Sequence, residues 1–207
     1  MKTNRNTICL ALVAVLLVTV MITSNTAEAQ GLKYDPERAS ALLHELAAAE
    51  DPSAALVALS PEDRELVMWA STPVSEGTRT YTEDYSGDSD DMPACKRHVR
   101  EKYKMNPLGI RYLTYESYTW WCRLDGEIHG TPEFSAWGSV HTLFKVTWEF
   151  GGNDYTSESM ASDRSWHSDE AQGHFNNCVP ARIPLCVRGW TVQINKKHFG
   201  NGSQTSW

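Results

Sequence analysis

Five cationic side chains recur at every second residue in one short stretch: Lys96, His98, Arg100, Lys102 and Lys104. On a β-strand this spacing sends all five to the same face. If Pro107-Leu108-Gly109-Ile110 is a four-residue hairpin loop, Asn106 stands opposite Arg111, and the partner strand sets Trp121, Thr119, Ser117, Tyr115 and Leu113 across from the five cations. Ammonium and guanidinium groups interleaved with Tyr115 and Trp121 suit a surface that grips an anionic polymer or glycan, since charge attracts and aromatic faces stack. Two plainer readings use the same residues: charged gatekeepers on a sheet edge, or a basic helix over CKRHVREKYK.

The same register sets Glu101 opposite Glu116. A cross-strand carboxylate pair is the arrangement a glycosidase uses, with ~5–5.5 Å between carboxyls in retaining enzymes, although like charges directly opposite are also destabilising. These two are the best carboxylates the chain offers for a glycoside hydrolase. Asp163, His167 and His174 cluster in DRSWHSDEAQGH, which reads as a solvated polar turn. Asp84, Asp88, Asp90 and Asp91 lack the D-x-[DN]-x-[DN]-G spacing and the closing Glu of a calcium loop. There is no H-E-x-x-H, no G-x-S-x-G, no zinc-finger spacing and no glycine-rich phosphate loop, so neither a cofactor nor a metal is expected. Trp120 and Trp121 are neighbours and therefore point to opposite faces of a strand; one is obliged to be core, and the other is either buried too, beneath covering helices, or a stacking platform for a sugar ring.

The elements that position these residues begin with residues 1–29. Lys2 and Arg5 precede an apolar run from Ile8 to Ile22, and Ala27-Glu28-Ala29 is a small-residue cleavage site, the pattern of a signal peptide for secretion to the extracellular space. At 15 residues the run is ~22 Å long as a helix, short of the ~30 Å bilayer core, so no transmembrane helix is expected in the mature chain. Beyond residue 29 there remain 17 basic and 25 acidic side chains, and four of the five cysteines: Cys95, Cys122, Cys178 and Cys186. An even number in an oxidising compartment reads as two disulfides. The hairpin register that aligns the cations also sets Cys95 opposite Cys122, which leaves Cys178 to pair with Cys186.

Charge divides the chain further. Residues 30–93 hold 14 acids against 4 bases, and residues 94–207 hold 11 acids against 13 bases. Within 30–70, Asp35-Pro36, Asp51-Pro52 and Ser60-Pro61 each combine an N-cap with proline at the first helical position, and Leu42, Leu43 and Leu46 recur at helical spacing. Three helices with apolar faces this narrow need something to lie against. They form an acidic helical segment, a possible prosegment. Residues 71–93 are polar and acidic and read as a flexible linker.

Residues 94–207 carry seven of the eight tryptophans and all five phenylalanines in segments of period two. Asp125-Gly126 marks a two-residue hairpin, Gly151-Gly152-Asn153-Asp154 a second turn and Gly200-Asn201-Gly202 a third, while Val140 to Phe150 alternates as a single strand. The expected fold is mainly β, an antiparallel sandwich or small barrel with two disulfides. The expected function is that of a secreted, non-enzymatic domain binding an extracellular anionic polymer or glycan through Lys96, His98, Arg100, Lys102, Lys104, Tyr115 and Trp121, with the acidic segment in intramolecular contact with the basic row. The rivals are a glycoside hydrolase built on Glu101 and Glu116, and a small secreted toxin or inhibitor.

Overall fold

The computed structural model describes residues 34–85, 92–179 and 185–207, with Val179 and Leu185 described by their backbone only. It opens with helices α1 (Pro36–Ala48), α2 (Pro52–Ala58) and α3 (Pro61–Ala70). Each has proline in its first turn and a side-chain cap: Asp35 accepts from the Glu37 and Arg38 amides, Asp51 from Ala54 and Ser60 from Asp63. Such caps contribute about 1 kcal/mol each. Leu42, Leu43 and Leu46 of α1 and Leu66 and Val67 of α3 join Tyr112, Leu113, Phe144 and Trp148 in one buried cluster. What the helices lie against is thus one end of the β domain. Polar contacts fix the junction: Trp148 Nε1 donates to the Ser71 carbonyl at 2.9 Å, and Asn106 Nδ2 to that of Ala70 at 2.8 Å.

The strands are β1 (Ser75–Tyr85), β2 (Ala94–Met105), β3 (Arg111–Leu124), β4 (Glu127–Val140), β5 (Trp148–Met160), β6 (Trp166–Val179), β7 (Leu185–Phe199) and β8 (Gln204–Ser206). They form two antiparallel sheets, β1-β2-β3-β4 and β5-β6-β7-β8, packed face to face. The expected register holds from Ala94↔Arg123 to Lys104↔Leu113, beyond which a shift sets Met105 and not Asn106 opposite Arg111; Cys95 pairs with Cys122 across β2 and β3, and Cys178 with Cys186 across β6 and β7, and both pairs are disulfides. Asp125 and Gly126 turn the β3–β4 hairpin with φ of 51° and 85°, the left-handed pair that a two-residue loop demands.

Three expectations need correction. Residues 75–85 are not a linker but strand β1, paired with β2 from Ser75↔Met105 to Tyr85↔Cys95. Their polar composition reflects an edge position, and Thr78, Thr80, Tyr81 and Thr82 supply the strand preference. Residues 86–91 of the expected linker lie outside the described residues. The run from Val140 to Phe150 is not one strand either. It breaks at His141, whose side chain caps a 3-10 turn over Thr142–Phe144, and this turn carries the chain from one sheet to the other while sinking Leu143 and Phe144 beneath α1. Finally, Gly151 to Asp154 does not turn a hairpin: β5 continues through it with register shifts after Phe150 and after Asn153, and Gly152 at φ 111° absorbs one of these bulges.

Candidate functional site

The five alternating cations do share one face of β2, and across from them stand Trp121, Thr119, Ser117, Tyr115 and Leu113 as the register requires. That face is the inner one. The His98 ring meets His198 of the opposite sheet, Arg100 donates to Ser206 Oγ on β8, and Lys104 Nζ lies 5.3 Å from the Trp190 ring centre on β7. Both the basic helix and an exposed gatekeeper row are therefore set aside. His98, Tyr115 and Trp121 are buried, so they are not the surface contacts expected of them. Tyr115 instead donates to Asn153 Oδ1 at 2.9 Å. Trp120, the outward neighbour of Trp121, packs on Tyr85 with ring centres 4.5 Å apart.

The remaining four cations differ in how their charge is met. Lys96 Nζ sits 3.2 Å from Asp84, and Lys104 Nζ 2.6 Å from Glu76. Between these two ends, the half-buried Lys102 is in no ion pair among the described residues and feels Glu76 only at longer range, while the buried Arg100 Nε has no hydrogen-bond partner among them. Burial lowers the Lys102 ammonium pKa below the ordinary lysine value, and the neighbouring Arg100 charge adds to the effect. Arg100 and Lys102 line a cleft of about 320 Å³ bounded by Glu76, Gly77 and Thr78 of β1 and by Trp190 to Gln193 of β7. The β7 side of this cleft is an open strand edge. Asn195 exchanges both backbone hydrogen bonds with Trp207, and because a strand's amides alternate in direction, Gln193 and Thr191 direct theirs to that same side, beyond the end of the β8 pairing. The cleft thus combines two cations, one indole and backbone donors.

Deeper between the sheets lies a polar cluster that the sequence did not announce. His167 and Asp169 alternate along β6, Lys196 and His198 along β7, and the register pairs His167 with His198 and Asp169 with Lys196. All four are buried, Lys196 and His198 completely. Thr119 Oγ1 donates to Asp169 Oδ2 at 2.7 Å, Lys196 Nζ lies 3.3 Å from Asp169 Oδ1, and His198 Nε2 shares a 3.0 Å hydrogen bond with His98 Nδ1. On the far side of His167, Nε2 lies 3.2 Å from Glu158 Oε2. Burial dominates the protonation chemistry: it pushes His98 down to about 4, helped by the Lys196 and Arg100 charges, and drives His198 well below the ordinary histidine value. It also lowers Lys196 to about 8 against the pull of Asp169, and raises the Asp169 carboxyl.

The polar turn expected at Asp163, His167 and His174 is therefore mostly a strand. Asp163 does close a turn, accepting from the Ser165 amide and hydroxyl, but His167 points into the sandwich and His174 points outward to Asp154 at 2.9 Å. The signal that could have located the cluster is the pair of alternations His167-x-Asp169 and Lys196-x-His198 on neighbouring strands. Glu101 and Glu116 face each other on the outer side of β2 and β3. Arg111 engages Glu101 at 2.8 Å, and Glu116 is raised by burial and then by the Glu101 charge. No family model, no curated protein and no solved structure matches this chain.

Proposed function

We propose that this is a secreted, non-enzymatic β-sandwich that binds the anionic groups of an extracellular polymer or glycan in the cleft formed by Arg100 and Lys102. The observation that carries the reading is the contrast within one row of cations. Lys96 and Lys104 are neutralised by acids of the preceding strand, whereas the half-buried Lys102 has no ion pair among the described residues and the buried Arg100 Nε has no hydrogen-bond partner there. A cation partly withdrawn from water carries a desolvation cost, and an anion entering the cleft offsets that cost. Arg100 matches a sulfate or carboxylate with paired donors, Lys102 adds a compact charge, and Trp190 offers a face for stacking. In this reading the intramolecular acidic contact is made by Glu76 and Asp84, which close the two ends of the row and leave its middle for the ligand. Secretion accords with the two disulfides and with the fact that no helix among the described residues is long and apolar enough to cross a membrane.

The test uses heparin as the polyanion and compares the unaltered chain with Lys102→Glu and Lys145→Glu, the latter an exposed lysine remote from the cleft. Reversal at Lys102 is expected to weaken binding by about tenfold or more, while reversal at Lys145 changes it by less than about threefold. Equal losses from the two variants would make the attraction a diffuse property of the surface and not of the cleft.

A further inference from the structure

We propose that His167, Asp169 and His198 form a binding site for one divalent transition-metal ion, of the zinc class, enclosed between the two sheets. One ligand atom from each of the three lies within 4.8 Å of those of the other two, and all three residues are buried. His198 Nδ1 is 3.5 Å and His167 Nδ1 3.9 Å from Asp169 Oδ2, and neither ring nitrogen has a hydrogen-bond partner among the described residues. These separations are long for a hydrogen bond but close to the edge of a coordination tetrahedron, which is about 3.4 Å for metal–ligand bonds of ~2.1 Å.

The outer contacts orient all three donors. The Glu158 carboxylate can only accept, so the proton of His167 resides on Nε2 and the lone pair of Nδ1 faces inward. In the metal-bound arrangement His98 Nδ1 accepts from His198 Nε2, which turns a second lone pair, that of His198 Nδ1, toward Asp169. Asp169 is held by Thr119, and its Oδ1 is taken by Lys196, which leaves Oδ2 directed at the two imidazoles. Two lone pairs and a carboxylate oxygen thus converge on one point. Acceptors repel one another, and a cation at that point turns the repulsion into attraction. A carboxylate or second histidine on the remote ring nitrogen is the support that metal-bound imidazoles ordinarily have. Two imidazole nitrogens and one oxygen select zinc and its first-row neighbours over calcium or magnesium. Three protein donors leave one position for a solvent ligand, and in this sealed setting the ion would tie β6 to β7, a structural role.

The experiment is metal analysis of the full folded chain after equilibration with Zn²⁺ and dialysis, together with Co²⁺ substitution, whose visible absorption bands report the geometry around the ion. The expected result is one equivalent of zinc per chain, a raised thermal midpoint, and Co²⁺ bands intense enough for four- or five-coordination. His167→Ala is expected to lose the ion by about a hundredfold in affinity, whereas Lys196→Met retains or strengthens it. Less than about a tenth of an equivalent of zinc in the unaltered folded chain, or only the weak bands of six-coordinate Co²⁺, would overturn the proposal without recourse to any variant. Equal metal retention by His167→Ala and the unaltered chain would overturn it as well.

Discussion

His98 Nδ1 lies 3.0 Å from His198 Nε2, a hydrogen bond between two buried imidazoles that links β2 of one sheet to β7 of the other. It closes the polar end of the sandwich interior, opposite the apolar end where Phe144, Trp148 and the helices meet. Deleting it leaves one buried ring nitrogen without a partner, a loss of about 1–3 kcal/mol on top of the lost packing. His98→Ala is therefore expected to lower the urea midpoint with little change in slope. His98→Gln, which keeps a donor and an acceptor, is expected to restore part of the loss.

The helices are integral to the fold. Leu43 is fully buried in α1 within the cluster that includes Tyr112 and Trp148. Leu43→Ala is expected to destabilise the whole chain by about 2–5 kcal/mol, and the effect should appear in one cooperative transition recorded both by tryptophan fluorescence and by far-ultraviolet circular dichroism. A separate, earlier transition of the helices alone would contradict this cooperativity.

The two disulfides differ in the loop they close, with sequence separations of 27 for Cys95–Cys122 and 8 for Cys178–Cys186. By chain entropy the longer closure contributes about 3–4 kcal/mol and the shorter about 2–3 kcal/mol. Paired serine substitutions at Cys95 and Cys122 are expected to lower the denaturation midpoint more than paired substitutions at Cys178 and Cys186. Guanidinium titrations of the two double variants check the order.

Glu116 supplies the pH dependence. Its pKa in the folded chain is raised from 4.5, by burial first and by the facing Glu101 second. A carboxyl whose folded pKa is raised binds its proton more tightly in the native state, so its contribution is complete below about pH 4.5 and is lost as pH rises through the higher folded value. Glu116→Gln removes this penalty and is expected to raise the thermal midpoint at pH 7. The gain should shrink toward zero at pH 4, which calorimetry at the two pH values measures.

Much of the architecture was legible in the residues because the signals were local. Asp-Pro and Ser-Pro caps mark all three helices, Asp125-Gly126 marks its hairpin, and one loop length aligns Cys95 with Cys122 and all five cations with their partners. The residues misdirect as to which face of β2 turns inward, since Lys96 to Lys104 look like a solvated face and the opposite one, with Val99 and Tyr103 beside Arg97 and Glu101, is the more apolar. The position of the opposite sheet decides it. The buried cluster was hidden by a single bulge. Counting back from Cys178↔Cys186 sets Lys197 opposite His167, whereas the register shift at Phe175 and Asn176 sets His198 there. One residue of slip exchanges the two faces of a strand, and no turn or spacing signal in the chain marks the place where it occurs.

Entry of the ligand into the cleft at Arg100 and Lys102 can be read out by lysine footprinting. The full chain is acetylated briefly with and without a sulfated oligosaccharide at saturating concentration, and the rate at each lysine is read by peptide mass spectrometry. The oligosaccharide is expected to slow modification of Lys102 several-fold while Lys145, outside the cleft, reacts at an unchanged rate. An unchanged rate at Lys102 under saturating oligosaccharide, or equal protection of Lys102 and Lys145, would contradict it.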